Sequence, residues 1–276
     1  MAGELLNCAG IESGLRRIEK AENVRIVYAC ESGSRAWGFE SQDSDFDVRF
    51  IYVHPASWYL SVEPGPDVIE CPMTGNLDRA GWDIRKALQL LRKSNPPLLE
   101  WLQSPFVYRE ASNVVSRIRE LMPVFCSPAA CHYHYLHMAD GNYRDYLRDE
   151  QVWIKKYFYV LRPVLACLWI EQGRGVVPMT FRQLVDGVVK DESLRDAIEK
   201  LLERKRAGDE LDRGPKITAI SNFLDTEIAR LSTKRNLPSV RASVDALDSV
   251  FRFAIAELYG TSIQPPYSSD RATPTT

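Results

Sequence analysis

The stretch Asp45-Phe46-Asp47-Val48-Arg49-Phe50-Ile51-Tyr52 constrains this chain more than any other. Its period-two pattern reads as a strand, with Phe46, Val48, Phe50 and Tyr52 on one face and both aspartates on the other. Side chains two apart on a strand lie about 7 Å apart at the backbone and can converge on two divalent cations about 3.5–4 Å from each other. Such a pair activates an attacking hydroxyl and neutralises a triphosphate in one in-line displacement. Hard carboxylate, phosphate and water oxygens are the preferred shell of Mg²⁺, with Mn²⁺ as the alternative occupant.

The flanking segments make that reading more specific. The chain opens with helical spacing of Ile11, Leu15 and Ile18 between Gly10 and Glu22, followed by a β-rich run from Val24 to Ala29. Glu31 to Gly38 then reads as a tight turn into a short helix. Gly33-Ser34 thus follows a strand, where free backbone N–H groups, the missing glycine side chain and the Ser34 hydroxyl suit a phosphate. A Gly-Ser pair alone is an ordinary turn, and an Asp-x-Asp alone is equally common. The order strand, Gly-Ser turn, helix, Asp-x-Asp strand is much more restrictive. A third strand is expected between Leu77 and Trp82. Asp83 then precedes Ile84, Ala87, Leu88 and Leu91, an amphipathic helix that Asn95-Pro96-Pro97 stops.

Beyond about residue 110 strand signals fade. Helical periodicity runs over roughly 112–122, 128–149, 151–172, 191–206, 214–232 and 239–259, so the second half reads as all-helical. Gly260 to Thr276, rich in Pro, Ser and Thr, is expected to be a mobile tail.

Composition narrows the function classes. A chain of 276 residues that is 45% hydrophobic can bury a real core, and 35 Lys+Arg against 37 Asp+Glu excludes coating nucleic acid by bulk charge. Contact with a polyanion must be local or metal-assisted. MAGELLNCAG has no basic segment leading into an apolar one, and no run approaches the roughly 18 apolar residues that span a bilayer. The expectation is a cytoplasmic protein without a membrane partner. Cysteines at 8, 30, 71, 126, 131 and 167 are scattered, as reduced core thiols are. Cys126, Cys131, His132, His134 and His137 invite a zinc reading. However, His132 and His134 point to different sides of a helix and no second ligand pair follows, so packing and surface histidines account for them better.

Residues 31–52, ESGSRAWGFESxDSDFDVRFIY, resemble the signature of the polymerase-β-like nucleotidyltransferase superfamily. In detail they resemble its RNA-repair-pathway branch of bacteria and phages. The segments GWDIRKAL at 81–88, NPxLxEWLxSP within 95–105 and KKYxYxxRP at 155–163 fit that branch as well. The resemblance covers about residues 25 to 175. It implies an α+β fold: a nucleotidyltransferase palm, with a small mixed sheet and flanking helices over 1–110, and an all-helical domain over 111–259 that closes on the nucleotide. The activity it implies is transfer of a nucleoside monophosphate from a nucleoside triphosphate such as ATP to an acceptor hydroxyl, with an RNA end as acceptor.

The superfamily adds a third carboxylate on a neighbouring strand. Asp78 and Asp83 compete for that role, with Glu70 a distant third. Asp78 is favoured because it lies within the expected strand, whereas Asp83 has an ordinary alternative as a helix N-cap. The expected metal set is therefore Asp45, Asp47 and Asp78. Lys155, Lys156, Tyr159 and Arg162 would hold the β- and γ-phosphates, although packed aromatics with snorkelling cations would explain the same segment in an isolated helix. Arg35 is nearer in sequence, and Arg49, on the Asp47 face, suits either a phosphate contact or a salt bridge to the carboxylate. Two rival readings remain open: transfer to a protein or small-molecule acceptor, as in toxin- or antibiotic-modifying relatives, and an inactive nucleotide-binding regulator. Nothing in the sequence specifies an oligomeric state.

Overall fold

The computed structural model describes residues 2–41, 44–208, 212–233, 236–240 and 242–260, with side chains from Gly10 onward. The expected tail, apart from Gly260, lies outside the described residues, as does the side chain of Cys8.

A long first helix, α1 (Ala2–Glu22), leads into β1 (Arg25–Glu31), the five-residue α2 (Gly33–Trp37) and β2 (Phe46–Val53). A short α3 (Ala56–Tyr59) precedes the hairpin β3 (Val68–Thr74) and β4 (Leu77–Asp83), then α4 (Ile84–Arg92), α5 (Pro96–Trp101) and β5 (Val107–Glu110). The five strands form one mixed sheet in the order β3-β4-β2-β1-β5. Only β2 and β4 run parallel within it, in a register that sets Phe46 beside Leu77 and Asp47 beside Asp78.

Strand alternation decides the two faces of this sheet. Val48, Phe50 and Tyr52 pack with Ile11, Leu15 and Ile18 of α1 in one core. Val27, Cys30, Ile51 and Val53 join a second core shared with the remaining helices. The second half contributes α6 (Val114–Phe125), α7 (Pro128–Tyr146), α8 (Tyr157–Glu171), α9 (Phe181–Val188), α10 (Glu192–Ala207), α11 (Thr218–Leu231) and α12 (Asp245–Tyr259). Because that core is continuous across residue 110, the helices close over the sheet as one body with it. The indoles of Trp82 and Trp101 stack 3.7 Å apart inside the palm, and the Tyr259 hydroxyl, donating to Val53 O at 2.9 Å, ties α12 to it.

Helix boundaries follow the caps. Asp83 accepts the Arg85 N–H, Asn95 that of Leu98, Ser127 that of Ala130 and Asp191 that of Leu194. The expected helix over 151–172 is instead a strand β6 (Gln151–Trp153), a 3₁₀ turn (Ile154–Lys156) and α8. β6 pairs with β7 (Arg213–Pro215), so the second half is not purely helical. Helix α9 and strands β3 and β5 lie outside the sequence expectation. Among the described residues no helix is long and apolar enough to cross a membrane.

Candidate active site

The sequence leads from β1 through a sharp turn, and the turn is where the site begins. Gly33 adopts φ +61, and a Cβ built on it would lie 2.0 Å from Asp47 Oδ2. The sequence reading assigned this glycine to a close ligand approach; the structure shows that the Asp47 carboxylate itself crosses it. The backbone is sewn at the same point, since Ser32 N–H donates to Asp47 O at 2.8 Å. Asp47 N–H in turn donates to the Glu31 carboxylate at 2.7 Å. Glu31 is 1% exposed and also accepts the Tyr108 hydroxyl. Burial raises its carboxyl above the ordinary range, while the Tyr108 and Asp47 donors pull it back.

This geometry makes a sharp expectation. Gly33→Ala should cost about 1–3 kcal/mol through the left-handed backbone and the collision, and it should lose most transfer activity by displacing Asp47. Gly38→Ala is the matched control, because Gly38 has φ +84 but nothing within 4 Å of its Cβ position. It should show the stability loss of the backbone with activity retained. Thermal melts alongside transfer assays read both, and equal activity losses in the two variants would defeat the argument.

The acids are gathered by the β2–β4 register. Asp47 and Asp78 are neighbours on adjacent parallel strands, and the Arg49 guanidinium spans them, 3.2 Å from Asp47 Oδ1 and 2.7 Å from Asp78 Oδ2. Asp45 sits exposed just before β2. Burial pushes the Asp47 carboxyl above the usual carboxylate range; Arg49 opposes this and the nearby Asp78 and Asp45 charges add to it.

Asp45, Asp47, Arg49, Gly33 and Ser34 line one cleft of about 530 Å³, and Lys155, Tyr159, Lys205 and Trp37 line it with them. Lys155 comes from the 3₁₀ turn before α8, and Lys205 from the last turn of α10. The two ammonium groups repel one another. Together with desolvation, the larger effect, this lowers Lys205 below the ordinary lysine range. The Trp37 ring meets Tyr159 edge-to-face at 6.1 Å, giving the cleft an aromatic wall on which a nucleobase can stack.

Other expected residues lie elsewhere. Asp83 is five positions along β4 from Asp78, hence on the opposite face, where it caps α4 and accepts the Tyr59 hydroxyl at 2.7 Å. Glu70, on β3, is not among the residues lining the cleft. Arg162 is 2% exposed, 2.8 Å from Glu100, and donates to Met179 O, so it holds the core and not a phosphate. Arg35 donates to the Ser44 and Asp45 carbonyls and lies over the Phe46 ring, so it clamps the approach to Asp45. The Lys156 ammonium rests over Tyr146 and Tyr159 at 4.4 and 4.9 Å, one layer behind the cleft.

Lys205 and Trp37 were missed as site residues. The sequence signal for Lys205 was Arg204-Lys205-Arg206, an ordinary pattern for the last turn of any helix. Trp37 is aimed by Glu100, which accepts its indole N–H at 3.1 Å.

Among the described residues no three His, Cys, Asp or Glu side chains already converge on a metal position. The thiols of Cys126 and Cys131 lie 3.9 Å apart, and His132 Nε2 lies 3.7 Å from Glu171 Oε1. The acidic cluster fits a hard cation nonetheless: its donors are all carboxylate oxygens, and at Asp47 their mutual repulsion is offset by Arg49 and, more weakly, by Arg35. Asp45 and Asp47 are the cleft-lining donors, whereas Asp78 is not among the lining residues and is held by Arg49.

A family model described as the RNA repair pathway DNA polymerase beta family matches residues 9–253. The uncharacterized protein YcgL of Bacillus subtilis (strain 168) is 54% identical over 217 residues, 79% of this chain and 84% of that protein. Among solved structures, a nucleotidyltransferase-like protein from Exiguobacterium sibiricum 255-15 aligns over 90% of this chain and 81% of its own, with 13% identity and a TM-score of 0.32.

Proposed function

We propose, from the premise that the chain belongs to the RNA repair pathway DNA polymerase beta family, that it is a Mg²⁺-dependent nucleotidyltransferase acting in the cytoplasm, with an RNA end as acceptor. The observation that carries this reading is the pairing of Asp45 and Asp47 with Lys155 and Lys205 in one cleft. Carboxylates alone would repel a triphosphate, and ammonium groups alone would bind it without chemistry. Together they hold a nucleotide so that its α-phosphate meets the acids while its β- and γ-phosphates meet the cations.

The residues divide the work. Asp45 and Asp47 are the proposed metal ligands, with Asp78 as the third carboxylate. A divalent cation held by these carboxylates would supply neutralisation of the α-phosphate oxygens and a more acidic attacking hydroxyl. In this reading Asp78 takes the proton of that hydroxyl once Arg49 releases it. Arg49 meanwhile keeps the acids together before a nucleotide arrives. Ser34 donates to a phosphate oxygen, Trp37 and Tyr159 stack the base, and Lys155 and Lys205 neutralise departing pyrophosphate.

An RNA acceptor is favoured by the surface beside the cleft. Lys155 and Arg213 both lie over the Trp153 ring, at 5.9 and 5.8 Å, and the Lys216 ammonium, next to β7, donates to the Arg148 carbonyl at 3.1 Å. Alternating cations and aromatic faces is how single strands are held without sequence preference. Incubating the protein with each nucleoside triphosphate, radiolabelled at the α-phosphate, together with RNA, protein and small-molecule acceptors tests the reading. Label on RNA supports it, label on another acceptor overturns the RNA assignment, and nucleotide binding without transfer to anything overturns the enzyme.

Lys155→Ala and Lys205→Ala should each raise KM for the nucleotide about ten- to a hundredfold, the value of a charge-assisted contact to phosphate. Lys156→Ala, behind the cleft, should change it by less than about threefold. A KM series in the three variants checks the assignment, and equal effects at Lys155 and Lys156 would refute it.

A further inference from the structure

A second cleft, of about 490 Å³, opens at the far end of β2 from the acids, among the last turn of α1, α3 and β3. That is an ordinary size for a small-molecule site. Tyr52, His54 and Trp58 build one wall: the His54 and Trp58 rings stack at 4.0 Å with 9° between their planes, and Tyr52 meets His54 edge-to-face at 5.4 Å. Leu60 and Val62, both strongly exposed, flank the lining residue Ser61 and extend an apolar rim.

One buried polar group of this cleft is not satisfied by the described residues. Tyr52 is fully buried, and its hydroxyl has no hydrogen-bond partner among the described residues. A buried hydroxyl left in that state costs free energy that a ligand recovers. The charges that act on it, Asp83, Asp67 and Glu22, are all negative. Asp83 is held by Tyr59 and the α4 cap, and Asp67 by Lys86 at 2.9 Å. Glu22 lies on the lining without an ion-pair partner among the described residues, at the carbonyl end of the 21-residue α1, where the helix dipole adds to its negative charge. No Lys or Arg is among the described residues that line the cleft. Burial lowers the His54 pKa, which disfavours a positive charge on its ring.

We propose that this cleft binds a small organic cation, an alkylammonium, whose charged head is taken by the Glu22 carboxylate and the Tyr52 hydroxyl while its aliphatic part lies on Trp58 and the Leu60–Val62 rim. An ammonium over an aromatic wall, with a carboxylate at the mouth, is recognised by the ring quadrupole and the charge together. Neither anions nor neutral alcohols gain both terms. The site is separate from the nucleotide cleft and does not rest on its assignment.

Calorimetric titration of the full chain with n-hexylammonium, n-hexanol and hexanoate at low ionic strength tests the proposal. Binding of the ammonium alone is expected, weakened about tenfold in Tyr52→Phe and by a similar factor in Glu22→Gln. Tyr52→Phe deletes one oxygen, and circular dichroism checks that the variant is folded. Absence of ammonium binding, equal binding of hexanol, or unchanged affinity in both variants would overturn it. Nucleotide KM should be unmoved in either variant.

Discussion

Asp47→Asn should reduce nucleotidyl transfer by at least about a thousandfold, the equivalent of several kcal/mol of lost transition-state stabilisation, with the fold intact. The amide is the same size as the carboxylate, and the Asp47 backbone bonds to Ser32 and Glu31 do not depend on the side chain. What disappears is the charge that a hard cation needs at the centre of the cluster. Stability should not fall with it. The Asp47 carboxyl lies above its ordinary range in the fold, so its protonated form is the one folding favours. Stability from this group is full below the unfolded carboxylate pKa and is lost as the pH rises through the raised folded value. At neutral pH the substitution removes that penalty, together with the opposing Arg49 contact. Label-transfer rates beside thermal melts at pH 7 check both halves, and transfer within tenfold of the parent would remove Asp47 from the catalytic set.

Glu100→Ala should cost about 3–5 kcal/mol of folding stability, because it strands the Arg162 guanidinium in the core. Glu100 on α5 accepts from Arg162 and from the Tyr135 hydroxyl, each at 2.8 Å, and from the Trp37 indole. It therefore joins the palm to α7 and α8 through one carboxylate, and without Glu100 the Arg162 guanidinium keeps the Met179 carbonyl and the Trp37 ring but no counter-charge among the described residues. Urea unfolding measures the loss, and a change below about 1 kcal/mol would show that the pair is not a keystone. Glu100→Leu combined with Arg162→Met should recover most of the stability, since a buried pair replaced by apolar groups is often neutral. Even then Trp37 lacks its partner, so nucleotide KM should stay raised. That split separates the structural role of the network from its aiming of the cleft wall.

Much of the palm was legible from local pattern. The alternation in β2 placed both aspartates on one face, the periodicity after Asp83 located α4, and the strand expected between Leu77 and Trp82, which holds Asp78, is β4. Each of these depends on residues within one element, where backbone period alone decides which way a side chain points. The β6–β7 pair was not legible, because Gln151–Trp153 and Arg213–Pro215 are too short to alternate and become strands only by meeting each other. The 3₁₀ turn that carries Lys155 was hidden in the same way inside an apparently continuous helix. β3 and β5 are edge strands, and their largely exposed residues carry no apolar alternation to read.

The sequence by itself determined the carboxylate face of β2, the glycine turn before it and the family to which both belong, since these are properties of contiguous residues. Only the tertiary structure decided which cations face those acids. Lys155 and Arg162 sit on the same short segment, yet packing sends the first into the cleft and buries the second against Glu100. Lys205 arrives from a helix with no local mark of its role. A charge's position across a cleft depends on how separate elements pack, and that distance is written in no single stretch of the chain.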